Sequence, residues 1–496
     1  MLALAHSQAL VGIDGHPVEV EADVTTATHA SFTIVGLPDQ GVREARERVR
    51  SGIIAASFRF PYERVTVNLA PGSLRKLGAR HDLAIAVALL AATGQLPKHR
   101  VERVLLLGEL ALDGRVRPVP GALLAAETAR RGGIETVICA RASAREAALV
   151  PQIAAIGVDH LLDAALWLRG ELVLDAAEPA ESAHEDEGLE LADVRGQPLG
   201  RRALELAAVG GHSLLLVGPP GVGKTMPARR LVPLLPDLDG PRALAVTRIH
   251  SAAGLLQAGA GISLRPPFRA PHHGASAAAL TGGGVGPQPG EVTLAHGGVL
   301  FLDELSEFTR PALEALRQPL EDGEVTIARV TGRARFPAAV QLVAATNPCP
   351  CGGLGGCRCT TERLERYRAR LSGPLVDRID LVVRVDPPDP EVLTHDRPET
   401  TAIVRERVLA ARAHQVLRAQ TCDNGRLELG QLELHGIAED ARRLVEQAAS
   451  ARSISARGQV RLLRLARSAA DLDGAGAIER SHVAEALSLH PRGDGL

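Results

Sequence analysis

The octapeptide Gly218-Pro219-Pro220-Gly221-Val222-Gly223-Lys224-Thr225 constrains this 496-residue chain more than any other segment. It lies between the apolar run Ser213 to Val217 and a helical stretch, the strand-loop-helix setting of a phosphate loop of the form Gly-x4-Gly-Lys-Ser/Thr. Glycines there let backbone N–H groups wrap a triphosphate at a helix N-terminus, Lys224 sets a cation on the β and γ phosphates, and the Thr225 hydroxyl can ligate magnesium. An incidental Gly-rich turn is the alternative reading. The chain has three lysines, Lys76, Lys98 and Lys224, among 56 basic residues, so each is worth asking about.

Two further runs continue the pattern. Val299 to Leu302 reads as a buried strand ending in Asp303-Glu304, which brings two carboxylates to the carboxyl edge of a parallel sheet, where ligands bind. Asp303 is expected to hold magnesium through water and Glu304 to polarise the attacking water, because phosphoryl transfer needs a positioned nucleophile and charge neutralisation. The bland alternative is an acidic pair favoured by a helix dipole. Gln341 to Thr346 is a third strand, ending in Asn347, whose amide can sense the γ phosphate. Arg378 follows with a planar cation suited to a phosphate on a neighbouring subunit, unless it pairs with Asp377 or Asp380. Arg457 and Arg461 start a later helix from which one of them, with Arg457 slightly favoured, could reach the nucleotide; surface residues are the alternative reading.

Strands alternating with helices predict an α/β chain. Residues 1–170 mix short apolar runs (Phe32 to Leu37, Val65 to Leu69, Arg103 to Leu107) with Ala-rich helix such as Asp82 to Ala92. Residues 171–194 read as a linker, since Glu171 to Glu190 holds eight acidic residues and no Lys or Arg, and should be solvated. Residues 195–388 read as a parallel-sheet core, and residues 389–496, with helical spacing over 398–418, 438–450 and 459–471, as an all-α lid. The 56 basic and 58 acidic residues give a formal charge of -2, so nucleic-acid contact would need a local patch. The longest apolar run, Leu83 to Ala92, is too short for a membrane span, and a cytoplasmic protein is expected.

The motifs in order resemble the ComM/YifB branch of the magnesium-chelatase-like AAA+ ATPases. They are RPPFRAPHHGAS (265–276, with a doubled Pro where the family usually has one), TGGGVGPQPGEVTLAHGGVLFLDEL (281–305), NPCPCGG (347–353), LSGPLVDRIDL (371–381) and RLLRLARSAADL (461–472). The resemblance covers essentially the whole chain. It implies a ring, usually hexameric, with ATP sites between subunits so that Arg378 acts in trans, and DNA translocation by a branch-migration helicase that extends strand integration in natural transformation. Residues 1–170 are similar to the proteolytic domain of Lon proteases. There Arg80 and Leu123 stand in the places of the nucleophilic Ser and the Lys base, so a Ser-Lys dyad and proteolysis are not expected, and the domain should serve ring assembly or DNA contact.

In this class the insertions between the phosphate elements line a central pore. Glu324 to Val330 and Arg333 to Phe336 read as two strands around a turn, and Arg329, Arg333 and Arg335 become candidate grips for DNA phosphates, joined by Arg269, His272 and His273. A hairpin's arginines can also serve solubility alone, and the histidines internal packing. With aromatics at only 2%, base stacking is disfavoured. Cys349, Cys351, Cys357 and Cys359 form two C-x-C pairs that could enclose zinc, although the spacing is tighter than the usual C-x2-C; reduced thiols in a Gly-rich loop are the alternative. The expectation is an ATP- and magnesium-dependent ring motor on branched or single-stranded DNA. A magnesium-chelatase-type subunit remodelling a protein partner and a non-hydrolysing assembly platform stand as rivals.

Overall fold

A computed structural model describes residues 1–181, 188–257, 259–284, 287–329, 332–353, 356–371, 375, 378–387, 390–452 and 454–490. Strand period fixes the first sheet, whose order is Ser31–Val35, Arg64–Ala70, Asp14–Thr25, Leu2–Val11, Val104–Leu107, Thr136–Ala140, Ala154–Val158. Leu2–Val11 and Asp14–Thr25 form a long antiparallel hairpin turned at Gly12, which takes φ 66. On the second of these strands Val18, Val20, Ala22 and Val24 alternate inward and are buried, as a one-faced sheet requires. Val104–Leu107 pairs in parallel and is buried at every residue. Helix Asp82–Ala92 is apolar all round below its first residue and is buried along its length.

The second sheet is parallel in every pair, with order Phe268–Arg269, Val299–Leu302, Gln341–Thr346, Leu214–Val217, Leu381–Arg384. The strand preceding the phosphate loop therefore sits beside the strand ending at Asn347, with Val217 opposite Thr346, and Leu302 lies opposite Ala344 on the far side. These three strands open their carboxyl ends at one edge. A separate hairpin, Glu324–Arg329 with Gly332–Pro337, joins the acidic strand to the Asn347 strand. After Arg384 the elements are helical among the described residues, including Thr401–Leu417, Glu439–Arg452, Ala456–Leu472 and Arg480–Leu489.

Two findings depart from the sequence expectation. The acidic segment is not simply solvated: Ala177 N–H donates to the Ala155 carbonyl at 2.8 Å, Ala180 is buried, and Leu191 is buried with its N–H on Thr401 Oγ1 at 2.7 Å. Small apolar residues scattered among the carboxylates seat the chain where charge counting saw only solvent. Nor does the core divide at that segment. Ile13, Leu105, Leu123 and Leu124 belong to one hydrophobic cluster with Leu215, Leu300, Leu302 and Phe336, so the two sheets share a core.

Polar contacts lock this junction. Glu146 Oε1 accepts from Leu123 N–H (3.0 Å) and from Ser251 Oγ (2.6 Å), which lies on helix Gly240–Ala253, and Arg248 of that helix meets Glu127 at 3.2 Å. Leu123 is thus a fully buried docking residue. Arg80 is lowered by burial, to about 10, and donates to Gln8 Oε1 at 3.3 Å. Neither position offers a nucleophile or an amine base.

Candidate active site

The phosphate loop folds as its glycines dictate. Gly221 and Gly223 take φ 84 and 79, the left-handed region that side chains avoid, and a Cβ on Gly218 would sit 2.2 Å from the Val385 carbonyl oxygen. Lys224 Nζ donates to the carbonyls of Gly218 and Pro219, both at 2.8 Å, and to Asn347 Oδ1 at 3.1 Å. Burial lowers the Lys224 ammonium, and Asp303 and Glu304 oppose that shift. The loop cation and the Asn347 amide named from sequence are therefore in direct contact. Tyr367, which sequence reasoning did not single out, fixes this corner: its hydroxyl donates to the Asn347 carbonyl at 2.8 Å and lies 3.0 Å from Thr346 Oγ1.

Across the edge, Thr225 Oγ1 donates to Asp303 Oδ2 at 2.8 Å, so a hydroxyl and a carboxylate converge on one point. Hard oxygen donors of this kind suit magnesium. Glu304 takes φ 51, rare for a residue with a Cβ, and its Oε2 lies 3.0 Å from His273 Nδ1. His273, a candidate for DNA contact, instead lies on the Glu304 carboxylate, its ring tilted 34° to that of His272 with centroids 4.1 Å apart. The HH pair between Pro271 and Gly274 was the only sequence signal for this.

Arg378 lies at the other edge of the sheet. Its carbonyl accepts from Ser213 Oγ at 2.7 Å, just before the strand that runs away toward the phosphate loop, and its guanidinium is paired with Glu321. Asp380, offered as its alternative partner, accepts instead from Ser213 N–H and Oγ, both at 2.9 Å; Asp377 lies outside the described residues. Burial raises the Asp380 carboxyl, but its bonds to His212 and Ser213 outweigh that and hold it low. Arg461 Nη1 donates to the Ile379 carbonyl at 3.0 Å, next to Arg378, whereas Arg457 is exposed on the first turn of its helix.

The hairpin exists: its first strand starts at Glu324 as expected and is described to Arg329, its second, Gly332–Pro337, is one residue longer at each end than expected, and Arg335 is exposed on it while Val325, Ala334 and Phe336 are buried. The side chains of Arg329 and Arg333 lie outside the described residues. Arg269 has another partner: its Nε and Nη2 donate to Glu291 at 2.7 and 2.8 Å, a fork-to-fork pair that engages two of its five N–H donors. The four cysteines do converge. Sγ of Cys349, Cys351, Cys357 and Cys359 all lie within 4.8 Å of one another, and no other described His, Cys, Asp or Glu residues group this way. Backbone N–H groups of Arg358 and Gly353 lower the Cys351 thiol, to about 6.

A phosphate loop, an acidic strand end and an amide-bearing strand end, side by side in this sheet order, define a P-loop nucleotide-binding protein of the AAA+ kind. The matches with known proteins narrow this. Family models described as magnesium chelatase, subunit ChlI, as subunit ChlI of Mg-chelatase, and as its C-terminal part match residues 190–393, 20–143 and 398–490. An uncharacterised protein YifB of Salmonella typhimurium is 42% identical over 492 residues, covering 98% of this chain and 96% of the relative. The competence protein ComM of Haemophilus influenzae is 42% identical over 501 residues, covering 98% and 97%. Lon protease 2 of Bacillus subtilis is 32% identical over 139 residues, 27% of this chain. The chain belongs to the ComM/YifB family of magnesium-chelatase-like AAA+ proteins. No helix among the described residues is long and apolar enough to cross a membrane.

Proposed function

We propose that this protein is an ATP-hydrolysing, magnesium-dependent motor that assembles into a ring, six subunits by family resemblance, and drives branch migration of DNA in the cytoplasm during natural transformation. The observation that carries the reading is the split between the two edges of one sheet. Lys224, Thr225, Asp303, Glu304 and Asn347 gather at the carboxyl edge, while Arg378 stands at the amino edge, a strand length away. A guanidinium there is out of reach of its own chain's phosphates, and in this reading it serves a neighbour's by exchanging its Glu321 carboxylate for phosphate.

In this reading Gly218 to Gly223 and Lys224 bind the triphosphate, Thr225 and Asp303 hold magnesium, and Asn347 reports on the γ phosphate through Lys224. Magnesium supplies charge neutralisation on the phosphates. Glu304 orients the attacking water once it leaves His273, and Arg378 of one subunit completes the site of the next, with the exposed Arg457 on the helical segment as the further arginine that meets nucleotide. Arg335, with Arg329 and Arg333 of the same hairpin, is the proposed phosphate grip. DNA as cargo rests on the family resemblance and on the competence name of one relative.

The test is a labelled four-way junction incubated with wild type, Lys224→Ala and Arg329→Ala. Wild type with ATP and magnesium should resolve the junction into duplex arms, and Lys224→Ala should not. Rapid nucleotide turnover with the junction left intact would refute the DNA motor and favour a protein-remodelling subunit; binding without turnover would favour an assembly platform.

A further inference from the structure

We propose that Cys349, Cys351, Cys357 and Cys359 hold one zinc ion, and that this tetrathiolate knot is a built-in brace that sets the nucleotide loop through Gly352 against Pro220. The inference deepens the ATP-site reading above and rests on it for the brace, though not for the metal. The thiols are drawn together by backbone geometry: Cys349 Sγ is 3.3 Å from Cys351 Sγ, and Cys351 Sγ is 4.0 Å from Cys357 Sγ. A tetrahedral zinc with Zn–S bonds of about 2.3 Å separates its sulfurs by roughly 3.8 Å, which these spacings bracket. All six cysteines of the chain are free thiols, so no disulfide competes for these four.

The position of the knot gives it work to do. It begins two residues after Asn347, the amide on Lys224, and ends just before helix Thr361–Leu371, whose Tyr367 bonds back to the Asn347 carbonyl and lies against Thr346 Oγ1. Both ends of the loop are therefore pinned to the same strand end. Between them Gly352, at φ 81, lies so close to the phosphate loop that a Cβ would meet Pro220 Cδ at 2.7 Å and Cγ at 3.0 Å. A second glycine, Gly353, backs onto Pro348 and Cys349 in the same way, at 3.2 and 3.8 Å. A metal that binds four side chains of this loop stiffens it, and the stiffened loop bears on Pro220 and, through Pro348, on Asn347.

The experiment uses the full chain as purified. Metal content is read by elemental analysis and by zinc release on thiol modification, and nucleotide affinity by a fluorescent ATP analogue. Wild type should carry about one zinc per chain, and Cys357→Ser/Cys359→Ser should lose it with nucleotide affinity weakened by about tenfold. Gly352→Ala should keep its zinc, showing an intact fold, and weaken nucleotide by a similar factor. Cys139→Ser and Cys422→Ser should change neither reading, and Lys224→Ala should keep zinc while losing nucleotide. A metal-free wild type whose four thiols all titrate, or are paired as disulfides, overturns the proposal. So does zinc-free Cys357→Ser/Cys359→Ser with unchanged nucleotide affinity. A zinc-loaded wild type that binds no nucleotide leaves the metal site standing and sinks the ATP-site reading instead.

Discussion

His273→Ala tests whether the Glu304 carboxylate is restrained before catalysis. The pair measures 3.0 Å, but its side chains are 37% and 56% exposed, so water screens it. An exposed histidine–carboxylate contact of this type contributes at most about 1 kcal/mol, equivalent to a shift of roughly fivefold in the freed population of Glu304. Releasing the carboxylate should therefore raise basal ATP turnover, without DNA, by up to that factor and no more. His273→Gln, which can still donate to the carboxylate, should stay nearer wild type. Steady-state phosphate release at saturating ATP is the assay, with the KM for ATP as a companion reading, since a carboxylate that acts on water should move kcat and leave KM alone. A fall in kcat would mean that His273 positions Glu304 for catalysis, and the restraint argument would then be wrong.

Other consequences can be checked in parallel. Lys224→Ala and Arg378→Ala should each be inactive alone, yet mixed subunits should recover roughly a quarter of wild-type turnover if the two residues serve one site from different chains; no recovery on mixing would refute the arrangement in trans. Asp303→Asn should cut turnover by about 10²–10³-fold while nucleotide still binds, measured by phosphate release beside an equilibrium binding titration. His81 is fully buried and held down to about 3 by burial, then by Arg80 and Lys76. The unfolded chain thus takes up a proton that the fold refuses, and stability should fall as pH drops from about 6.5 toward 4, by about 1.4 kcal/mol per pH unit from this histidine. Denaturant melts of wild type and His81→Gln should differ in that slope. Phe336→Ala removes a fully buried ring at the junction of hairpin and amino-terminal sheet and should cost about 3–5 kcal/mol by the same melts.

The nucleotide corner was legible because its chemistry is local. A glycine-rich loop, a strand ending in two carboxylates and a strand ending in an amide each carry their meaning within a few residues, and the sheet merely sets them side by side. Central strands were legible for a related reason: Val299–Leu302 and the Leu342–Ala345 stretch of Gln341–Thr346 are continuous apolar runs, buried at every residue as a covered parallel strand must be. What stayed hidden depends on partners far away in sequence. Nothing near Glu304 announces His273, and nothing near Arg378 announces Glu321. The opening hairpin Leu2–Val11 with Asp14–Thr25 is hard to read because its small alanines and interspersed polar residues blur the period-two pattern. The shared core across the acidic segment is hidden for a different reason: Leu123 stands out only as the residue in the place of a Lys base and Leu215 only as part of the run before the phosphate loop, and nothing local joins them.

That common interior has a practical outcome for anyone who cuts the chain. A protease that nicks the acidic stretch severs one covalent connection, yet Leu123, Leu300 and Phe336 stay interleaved and Glu146 still grips Ser251. The two fragments should co-elute until denaturant parts them, and a truncation starting at residue 195 should expose a greasy scar and precipitate.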